Sequence, residues 1–310
     1  DHALEQIEKL KSLPGSLLYI DQILNEGRLG LAESKCRAFL KKNPTHTYAM
    51  SLLAEIANRL GYFDDAEFLL EKAVEFEPKD GALRMKYASI LRKKQKFSKT
   101  MEQVDILCDQ YPDNLSYRAQ KASETMQNGE HQKAIDILDE ILKKNPYNFS
   151  SLTSRGHAQK TLGKTNEAIN SYQSAYKIKP DHGEAFFSLA NLKTYSFTKN
   201  ELDSMREQVA RVDLSQRDRT YFHFALAQGC EVNGEYEEAF FHLVKGNQIK
   251  NEQSQYSIER MDKELQSQID VCDDSFFSEL GTGGYETRDP IFILGLPRAG
   301  STLVEQILAS

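Results

Sequence analysis

Five of the eight prolines in this chain follow one another at a constant interval of 34 residues, and this spacing restricts the fold more than any other feature. The five are Pro44, Pro78, Pro112, Pro146 and Pro180. Prolines placed at random would almost never keep one interval, so much of the chain consists of tandem repeats. Each repeat is then a small unit that must stack on its neighbours to bury its apolar face.

Three other positions keep the phase of the prolines and carry mainly small residues. Seventeen residues before a proline stand Gly27, Gly61, Gly129 and Gly163, with Gln95 as the exception. Twelve residues before a proline stand Ala32, Ala66, Ala134 and Ala168, with Thr100 as the exception. Twenty-four residues before a proline stand Ala54, Ala88, Ala122 and Gly156. The pattern predicts one helical hairpin per repeat, with glycine in the turn, close contact at the small residues, and proline ending the second helix.

The segments from Gly61 to Pro78 and from Asn166 to Pro180 resemble a tetratricopeptide repeat. The resemblance implies an all-α fold, a right-handed superhelix of about seven units over residues 1–250. The phase predicts five regular units at 13–46, 47–80, 81–114, 115–148 and 149–182. A sixth, irregular unit starts near Gly183, and a seventh keeps four residues in phase, namely Ala227, Gly234, Tyr236 and Ala239.

In this architecture the first helix of each repeat lines an inner groove at repeat positions 2, 5, 9 and 13. Here those positions include Tyr48, Ser51, Arg59, Met85, Ser89, Ser116, Ser123, Thr153, His157 and Lys160. They lack the cluster of Lys, Arg and Asn that would clamp an acidic C-terminal peptide. We predict that a protein or an extended peptide binds there through side-chain hydrogen bonds, with Ser123, Thr153 and His157 as candidate contacts. The alternative is a scaffold surface without a dedicated ligand.

Composition argues against several other classes of protein. The net charge of −7 disfavours a nucleic-acid binder. The four cysteines and seven histidines are scattered, which predicts a reducing, cytoplasmic location and no metal site. No apolar run approaches the roughly 20 residues of a membrane helix. Because the chain begins with Asp1 and stops within a helical pattern, we expect a fragment of a longer protein.

Residues 290–310 differ from the rest and carry the pattern of a phosphate-binding loop. A short apolar run, Ile291 to Leu294, predicts a buried strand. The turn from Gly295 to Gly300 has the glycine spacing of a nucleotide P-loop, but Ser301 replaces the usual lysine. Arg298 supplies a cation inside the loop. The amides from Ala299 to Thr302 would face a phosphate at the start of a helix with Leu303, Val304, Ile307 and Leu308 on one face.

The stretch from Gly295 to Leu303 resembles the 5'-phosphosulfate-binding loop of sulfotransferases, with Ala299 and Ser301 in place of a serine and a threonine. Together with its flanks it resembles bacterial proteins that join tetratricopeptide repeats to a domain similar to protein-tyrosine sulfotransferases. The resemblance implies the donor 3'-phosphoadenosine 5'-phosphosulfate, held by Arg298, Ala299, Gly300, Ser301 and Thr302. Arg298 would also stabilise the leaving group. The general base would fall beyond Ser310, so the chain alone would be inactive.

The domains expected on this basis are the repeat array at 1–250, a helical linker and hinge at 251–289, and the start of a sulfotransferase domain at 290–310. The hinge would lie at the glycines of residues 281–284. Two other interpretations remain open. One is a non-catalytic interaction scaffold whose tail is incidental. The other is a P-loop kinase or nucleotidase, which the missing lysine disfavours. The acceptor hydroxyl, whether of a protein tyrosine, a saccharide or a metabolite, stays open.

Overall fold

The computed structural model describes residues 13–192, 194–254, 256–280, 291–295 and 299–309. The chain divides into two compact units, residues 1–250 and residues 251–310. Every regular element within the described residues is an α-helix. The first unit is an array of helical hairpins, so the predicted all-α repeat fold is confirmed for this part of the chain.

The five regular repeats form five consecutive hairpins. Their helices are α1 (Gly15–Asn25), α2 (Leu29–Lys42), α3 (Thr47–Leu60), α4 (Phe63–Phe76), α5 (Gly81–Lys93), α6 (Phe97–Gln110), α7 (Leu115–Gln127), α8 (His131–Lys144), α9 (Phe149–Thr161) and α10 (Thr165–Ile178). Each proline of the 34-residue series stands two residues after the end of a second helix, where it cannot extend the hydrogen-bond ladder.

Short polar side chains start the next repeat two residues after three of these prolines. Asp80 accepts hydrogen bonds from Ala82 N and Leu83 N at 2.9 and 3.0 Å. Asn114 and Asn148 cap α7 and α9 in the same way. These side chains satisfy backbone N–H groups that have no partner inside the helix. Proline and cap together therefore set the boundary between one repeat and the next.

The turn inside each of the five regular hairpins uses a left-handed residue, as the glycine phase predicts. Gly27, Gly61, Gly129 and Gly163 have φ values of 77°, 84°, 82° and 75°. The residue after the glycine donates back to the carbonyl five positions earlier, for example Tyr62 N to Ala57 O at 2.8 Å. Gln95 adopts the same conformation with φ of 58°. The third turn thus keeps the geometry of the others without the residue that favours it.

The small residues in phase are the points where the two helices of a hairpin touch. Ala54, Ala88 and Ala122 are buried, as are the alanines twelve residues before each proline. At the equivalent position in α9, a β-carbon added to Gly156 would lie 2.5 Å from Cε1 of Tyr172, whose side chain is fully buried in α10. Only glycine leaves room for this ring, so the prediction of close helix contact is confirmed.

The sixth and seventh units depart from the regular length. Their helices are α11 (Gly183–Ala190), α12 (Lys199–Ala210), α13 (Gln216–Val232) and α14 (Tyr236–Gln253). A capping box begins α12, since Thr198 and Glu201 each bind the other's backbone N–H. Phe186 and Phe222 are fully buried between these helices, and Phe186 stacks on Tyr176 of the preceding repeat at 4.4 Å. The irregular unit is therefore joined to the array by aromatic packing.

The second compact unit contains three shorter or more exposed helices, α15 (Ile258–Val271), α16 (Asp274–Leu280) and α17 (Ser301–Ala309). Helices α15 and α17 contain no buried residue. The hinge predicted at residues 281–284 lies outside the described residues. In the described ranges, no helix combines the length and the apolar character that crossing a membrane requires.

The strand predicted at Ile291 to Leu294 is wrong for this structure. Residues 291–295 have no regular secondary structure, and Leu294 is 92% exposed. A strand is stable only when a neighbour accepts and donates its ladder hydrogen bonds, and the described residues contain no such neighbour. The helix predicted after the loop does form, as α17. Of the α/β part implied by the sulfotransferase resemblance, the described residues after position 290 contain one helix, α17.

Replacing Gln95 by glycine should raise the free energy of unfolding by about 1 kcal/mol, because a β-carbon is unfavourable at positive φ. Urea unfolding followed by circular dichroism measures the change. The matched reverse substitution is Gly129→Ala, at φ of 82° with nothing within 4 Å of the added carbon, and it should destabilise by a similar amount. Equal stabilities of the wild type and Gln95→Gly would contradict the assignment of strain to this turn.

Candidate functional site

The first helices of successive repeats lie side by side, and their exposed side chains form one continuous surface, here called the groove face. Three contacts between neighbouring helices define it. Arg59 donates to Leu24 O at 3.0 Å, Lys86 to Ser51 Oγ at 3.3 Å, and Lys93 to Asn58 Oδ1 at 2.6 Å. Each pair joins residues about one repeat apart.

The structure divides the sequence-predicted groove residues by accessibility. Arg59, Ser89 and Ser116 are exposed on the groove face, as is Lys160, which stands at position 12 of its repeat rather than 13. Tyr48, Met85, Ser123 and His157 are partly exposed. Ser51 and Thr153 are buried. The side chains of the first two groups are accessible from solvent, whereas Ser51 and Thr153 pack between the helices.

Thr153 does not face a ligand in this structure. It is 3% exposed, and its hydroxyl donates to Phe149 O at 3.0 Å. Because that proton is used, the hydroxyl accepts from Nε2 of His182, also at 3.0 Å. His182 is itself buried, and burial lowers the pKa of its ring. The pair is part of the packing between the fifth and sixth units.

Two cations that the list of predicted groove residues omits also lie on the groove face. Lys86 is at position 6 of its repeat and Lys93 at position 13, and both are exposed. With Arg59 they place three positive side chains on the second and third units, and each donates a hydrogen bond to the neighbouring helix. Arg59 also pairs with Glu55 at 2.8 Å, so these cations already have partners within the array.

Aromatic side chains replace the small polar ones at the other end of the groove face. Phe187 of α11 packs against Tyr221 of α13 with ring centroids 5.2 Å apart and against Phe224 at 6.1 Å. All three side chains are partly exposed. These three residues are here called the aromatic patch. Arg217 lies over the ring of Tyr221 at 5.5 Å.

A charged group borders the aromatic patch. Glu184 Oε2 lies 3.0 Å from Arg217 Nη2, and Glu184 Oε1 lies 3.5 Å from His157 Nε2. His157 Nδ1 in turn contacts Tyr172 Oη at 3.0 Å. The hydrogen bond from His157 and the charge of Arg217 hold the pKa of Glu184 below its usual value. Both carboxylate oxygens of Glu184 thus have cationic or donor partners.

Sequence reasoning missed the aromatic patch. Ala190 and Ala227 mark repeat position 8 in units six and seven, which places Phe187 and Phe224 at position 5 and Tyr221 at position 2. These positions line the groove in the regular repeats, so aromatic residues at positions 2 and 5 indicate the patch in the sequence. The altered length of the sixth unit obscures this numbering.

The seventh unit contains two polar clusters of a different kind. Cys230, Glu235 and Glu238 bring one ligand atom each within 4.8 Å of one another, which is metal-ligand spacing. Arg206 already occupies the space between them, donating to Glu238 at 2.8 Å and to Glu235 at 3.2 Å. Burial raises the pKa of the Cys230 thiol to about 11, so it stays protonated. The cluster is an internal ion-pair network.

The second cluster is a buried histidine pair. Nδ1 of His223 and Nδ1 of His242 lie 2.9 Å apart, so one ring donates and the other accepts. The two residues are 5% and 6% exposed. Burial, with the neighbouring His242 ring, Arg219 and Lys245, lowers the pKa of His223 to about 4. Burial also lowers the pKa of His242, although Glu238 favours its charged form.

Part of the predicted phosphate-binding loop lies within the described residues. Gly300 has a φ of 86° directly before α17, and Val304 N donates to its carbonyl at 3.1 Å. Ser301 and Thr302 are exposed at the helix start, and a β-carbon added to Gly295 would lie 3.4 Å from that of Ala299. Arg298 lies outside the described residues.

Solved structures with a similar fold place this chain among the helical-repeat proteins. A tetratricopeptide repeat protein from Parabacteroides merdae, 15% identical, has a TM-score of 0.55, covering 82% of this chain and 98% of that one. Human IFIT1, solved as a dimer with m7Gppp-AAAA, is 17% identical with a TM-score of 0.51, covering 77% of this chain and 58% of that one. At these identities the similarity concerns the fold alone.

The repeat type follows from the sequence matches. Residues 48–80 and 149–182 match the family described as tetratricopeptide repeat, so the chain carries tetratricopeptide repeats. An uncharacterized protein of Aquifex aeolicus is 26% identical over 212 residues, which is 68% of this chain and 27% of that protein. The chain therefore corresponds to about a quarter of the length of that relative.

Acidification from pH 7 to pH 5 should lower the free energy of unfolding by about 2 kcal/mol through the histidine pair. The folded pKa of His223, about 4, lies below its unfolded value of 6.5, so the unfolded chain binds more protons across this interval. Stability is therefore full above pH 6.5 and declines as the pH falls toward 4. Urea midpoints at pH 7, 6 and 5 measure the effect.

The control for this pH dependence is His223→Phe, which removes the group with the larger pKa shift. The slope of stability against pH between 7 and 5 should fall in this variant, and the slope that remains belongs to His182 and His242, whose pKa values burial also lowers. The carboxylates do not confound the test, because their protonation occurs mostly at lower pH. An unchanged slope in His223→Phe would rule out the histidine pair as its source.

Proposed function

We propose that the hairpin array binds an extended segment of a partner protein along the groove face. The observation that carries this proposal is the continuity of that surface across the repeats, with exposed polar side chains at Ser89 and Ser116 and partly exposed rings at the aromatic patch. Tetratricopeptide arrays present long surfaces of this kind. A chain of helices offers no strand edge, so the ligand must be held mainly through its side chains.

The composition of the groove face supports an extended ligand. Serines at positions 89 and 116 are small, so a peptide backbone can approach the helices closely. Lys86 and Lys93 place hydrogen-bond donors beside them. The aromatic patch adds apolar area at one end. Close approach, donors and a separate apolar anchor together favour a peptide over a compact small molecule.

Filling the groove face with large side chains should weaken peptide binding at least about tenfold, since a bulky cation blocks close approach. Peptides are first selected from a displayed random library on the purified protein, and their affinities are then measured by fluorescence polarisation. The test variant is Ser89→Arg with Ser116→Arg. The control is Ser98→Arg with Ser174→Arg, two exposed serines on second helices. Equal affinity for both double variants would contradict binding at the groove face.

A second function is favoured by the loop sequence from Gly295 to Leu303. We propose that the full-length protein is a sulfotransferase that uses 3'-phosphoadenosine 5'-phosphosulfate, with the array binding or presenting the acceptor. The support is the similarity of the loop to the phosphosulfate-binding sequence. The positive φ of Gly300 before α17 is compatible with it, because a left-handed glycine lets the chain turn sharply into a helix.

The residues of the loop fit an anionic group. The N–H groups of Ser301 and Thr302 belong to the first turn of α17, where no intrahelical carbonyl accepts from them. They and the positive end of the helix would hold the 5'-phosphate, together with both hydroxyls. Arg298 would stabilise negative charge on the leaving phosphate. When bound, the donor supplies the sulfuryl group, and a base beyond residue 310 would deprotonate the acceptor.

The full-length protein should bind 3'-phosphoadenosine 5'-phosphate more tightly than ATP, because a loop without the usual lysine is poorly suited to β- and γ-phosphates. Isothermal titration calorimetry measures both affinities. Arg298→Ala should weaken binding of the phosphoadenosine nucleotide about tenfold or more. The control is Arg260→Ala on α15, an exposed arginine outside the loop. Preference for ATP would end the sulfotransferase proposal and leave the groove-face proposal intact.

A further inference from the structure

We infer that the aromatic patch with Arg217 is the anchoring point of the groove face, and that it binds a peptide residue with a bulky apolar side chain next to a carboxylate. The inference rests on the proposed peptide-binding function and specifies the ligand class. It assigns the apolar side chain to Phe187, Tyr221 and Phe224, and the carboxylate to Arg217.

The aromatic patch is held in place by close backbone contacts. A β-carbon added to Gly183 would lie 2.5 Å from Asp218 O and 3.0 Å from Tyr221 Cβ. One added to Gly246 would lie 2.9 Å from the Phe224 ring. The Phe224 ring therefore rests against one glycine, and the stretch of α13 that bears Tyr221 rests against another, so both lose little freedom when a ligand covers them. Such preorganisation lowers the entropic cost of binding.

Arg217 presents unused donors beside these rings. Its side chain is 70% exposed. Both of its short polar contacts, to Glu184 and to Tyr221 Oη, use the same nitrogen, Nη2. Within the described residues, Nε and Nη1 have no hydrogen-bond partner, and the guanidinium lies over the Tyr221 ring. A guanidinium with a free edge is suited to a carboxylate, which it can bind through two hydrogen bonds.

The neighbouring carboxylate does not cancel this preference. Glu184 already has His157 on one oxygen and Arg217 on the other. The Glu184–Arg217 pair has no net charge, but its two members differ in the hydrogen-bonding capacity they have left. Both carboxylate oxygens of Glu184 have partners, whereas Arg217 keeps two nitrogens, Nε and Nη1, that have no partner within the described residues. An acidic ligand residue would gain these donors, and a basic one would not. Tyrosine and arginine are also among the residues that contribute most of the binding energy at protein interfaces, where they form hot spots.

Repeat position 5 indicates where along the groove face a bulky ligand side chain belongs. The residues at this position are Leu17, Ser51, Met85, Ala119 and Thr153 in the five regular units, and Phe187 and Phe224 in the last two. Leu17, Ser51 and Thr153 are buried, and Met85 and Ala119 are partly exposed but have no ring. Partly exposed rings at position 5 occur in units six and seven, so the apolar anchor of the ligand is placed there.

The experiment uses three fluorescein-labelled nonapeptides that share a Gly-Ser frame and differ only at two central residues, Phe-Asp, Phe-Lys or Ala-Asp. Affinities for the whole chain are measured by fluorescence polarisation at low salt. The Phe-Asp peptide should bind about tenfold more tightly than either of the others, because each of those lacks one of the two contacts. Arg217→Gln should remove the advantage of Asp over Lys, and Arg217→Glu should reverse it.

The matched control is Arg37→Gln. Arg37 is 61% exposed and pairs with Glu33 at 2.8 Å, much as Arg217 pairs with Glu184, but it lies on a second helix. This variant should leave all three affinities unchanged. Equal binding of the Phe-Asp and Phe-Lys peptides, or equal effects of Arg37→Gln and Arg217→Gln, would overturn the inference.

The outcome also separates this inference from the function on which it rests. If library-selected peptides lose affinity for the Ser89→Arg and Ser116→Arg variant but the Phe-Asp peptide shows no preference, the ligand class assigned here is wrong and the groove face still binds peptides. If the selected peptides are also indifferent to the serine substitutions, both proposals fail.

Discussion

Reversal of the chain within each of the five regular hairpins depends on one residue with positive φ, and the rest of the regular array follows from that reversal. The left-handed residue ends the first helix and directs the next residue's N–H back to it, so the two helices run antiparallel from the first turn. Their early contact requires a small side chain, which explains the alanines and Gly156. With turn, contact and proline fixed in sequence, every regular repeat must have the same length.

The stacked hairpins turn a periodic interior into a surface that is not periodic. Interior positions accept only small or apolar residues because packing is close, and they repeat from unit to unit. Groove-face positions carry no such restriction, and they change from serines and lysines in the early units to aromatic rings in the last two. The function proposed for the array therefore resides in the residues that break the repeat.

Most of the fold can be predicted from the sequence, but only part of the candidate site can. Prolines, turn glycines and contact alanines each have a local physical cause, so their phase predicts helices and turns reliably. Burial at a given repeat position depends on the neighbouring unit, which is why Thr153 was expected to face a ligand and instead packs against His182. Predicting the aromatic patch requires knowing which residues occupy repeat positions 2 and 5 in the last two units, and the irregular length of the sixth unit obscures them. The strand at 291–294 failed because strand formation depends on a partner strand that the local pattern does not supply.

The positive φ of Gln95 indicates where the array begins to unfold locally. The buried apolar cluster that includes Leu91 belongs to units two and three, and a separate, smaller cluster around Leu138 belongs to unit four. A polar contact, Arg92 to Glu124 at 3.0 Å, crosses between them. In a linear array, stability is a sum of unit and interface contributions, so a strained turn between two separate buried clusters marks a seam, meaning a boundary of lower local stability. Local opening at this seam would leave each half with its own core and divide the groove face into two separately stable segments.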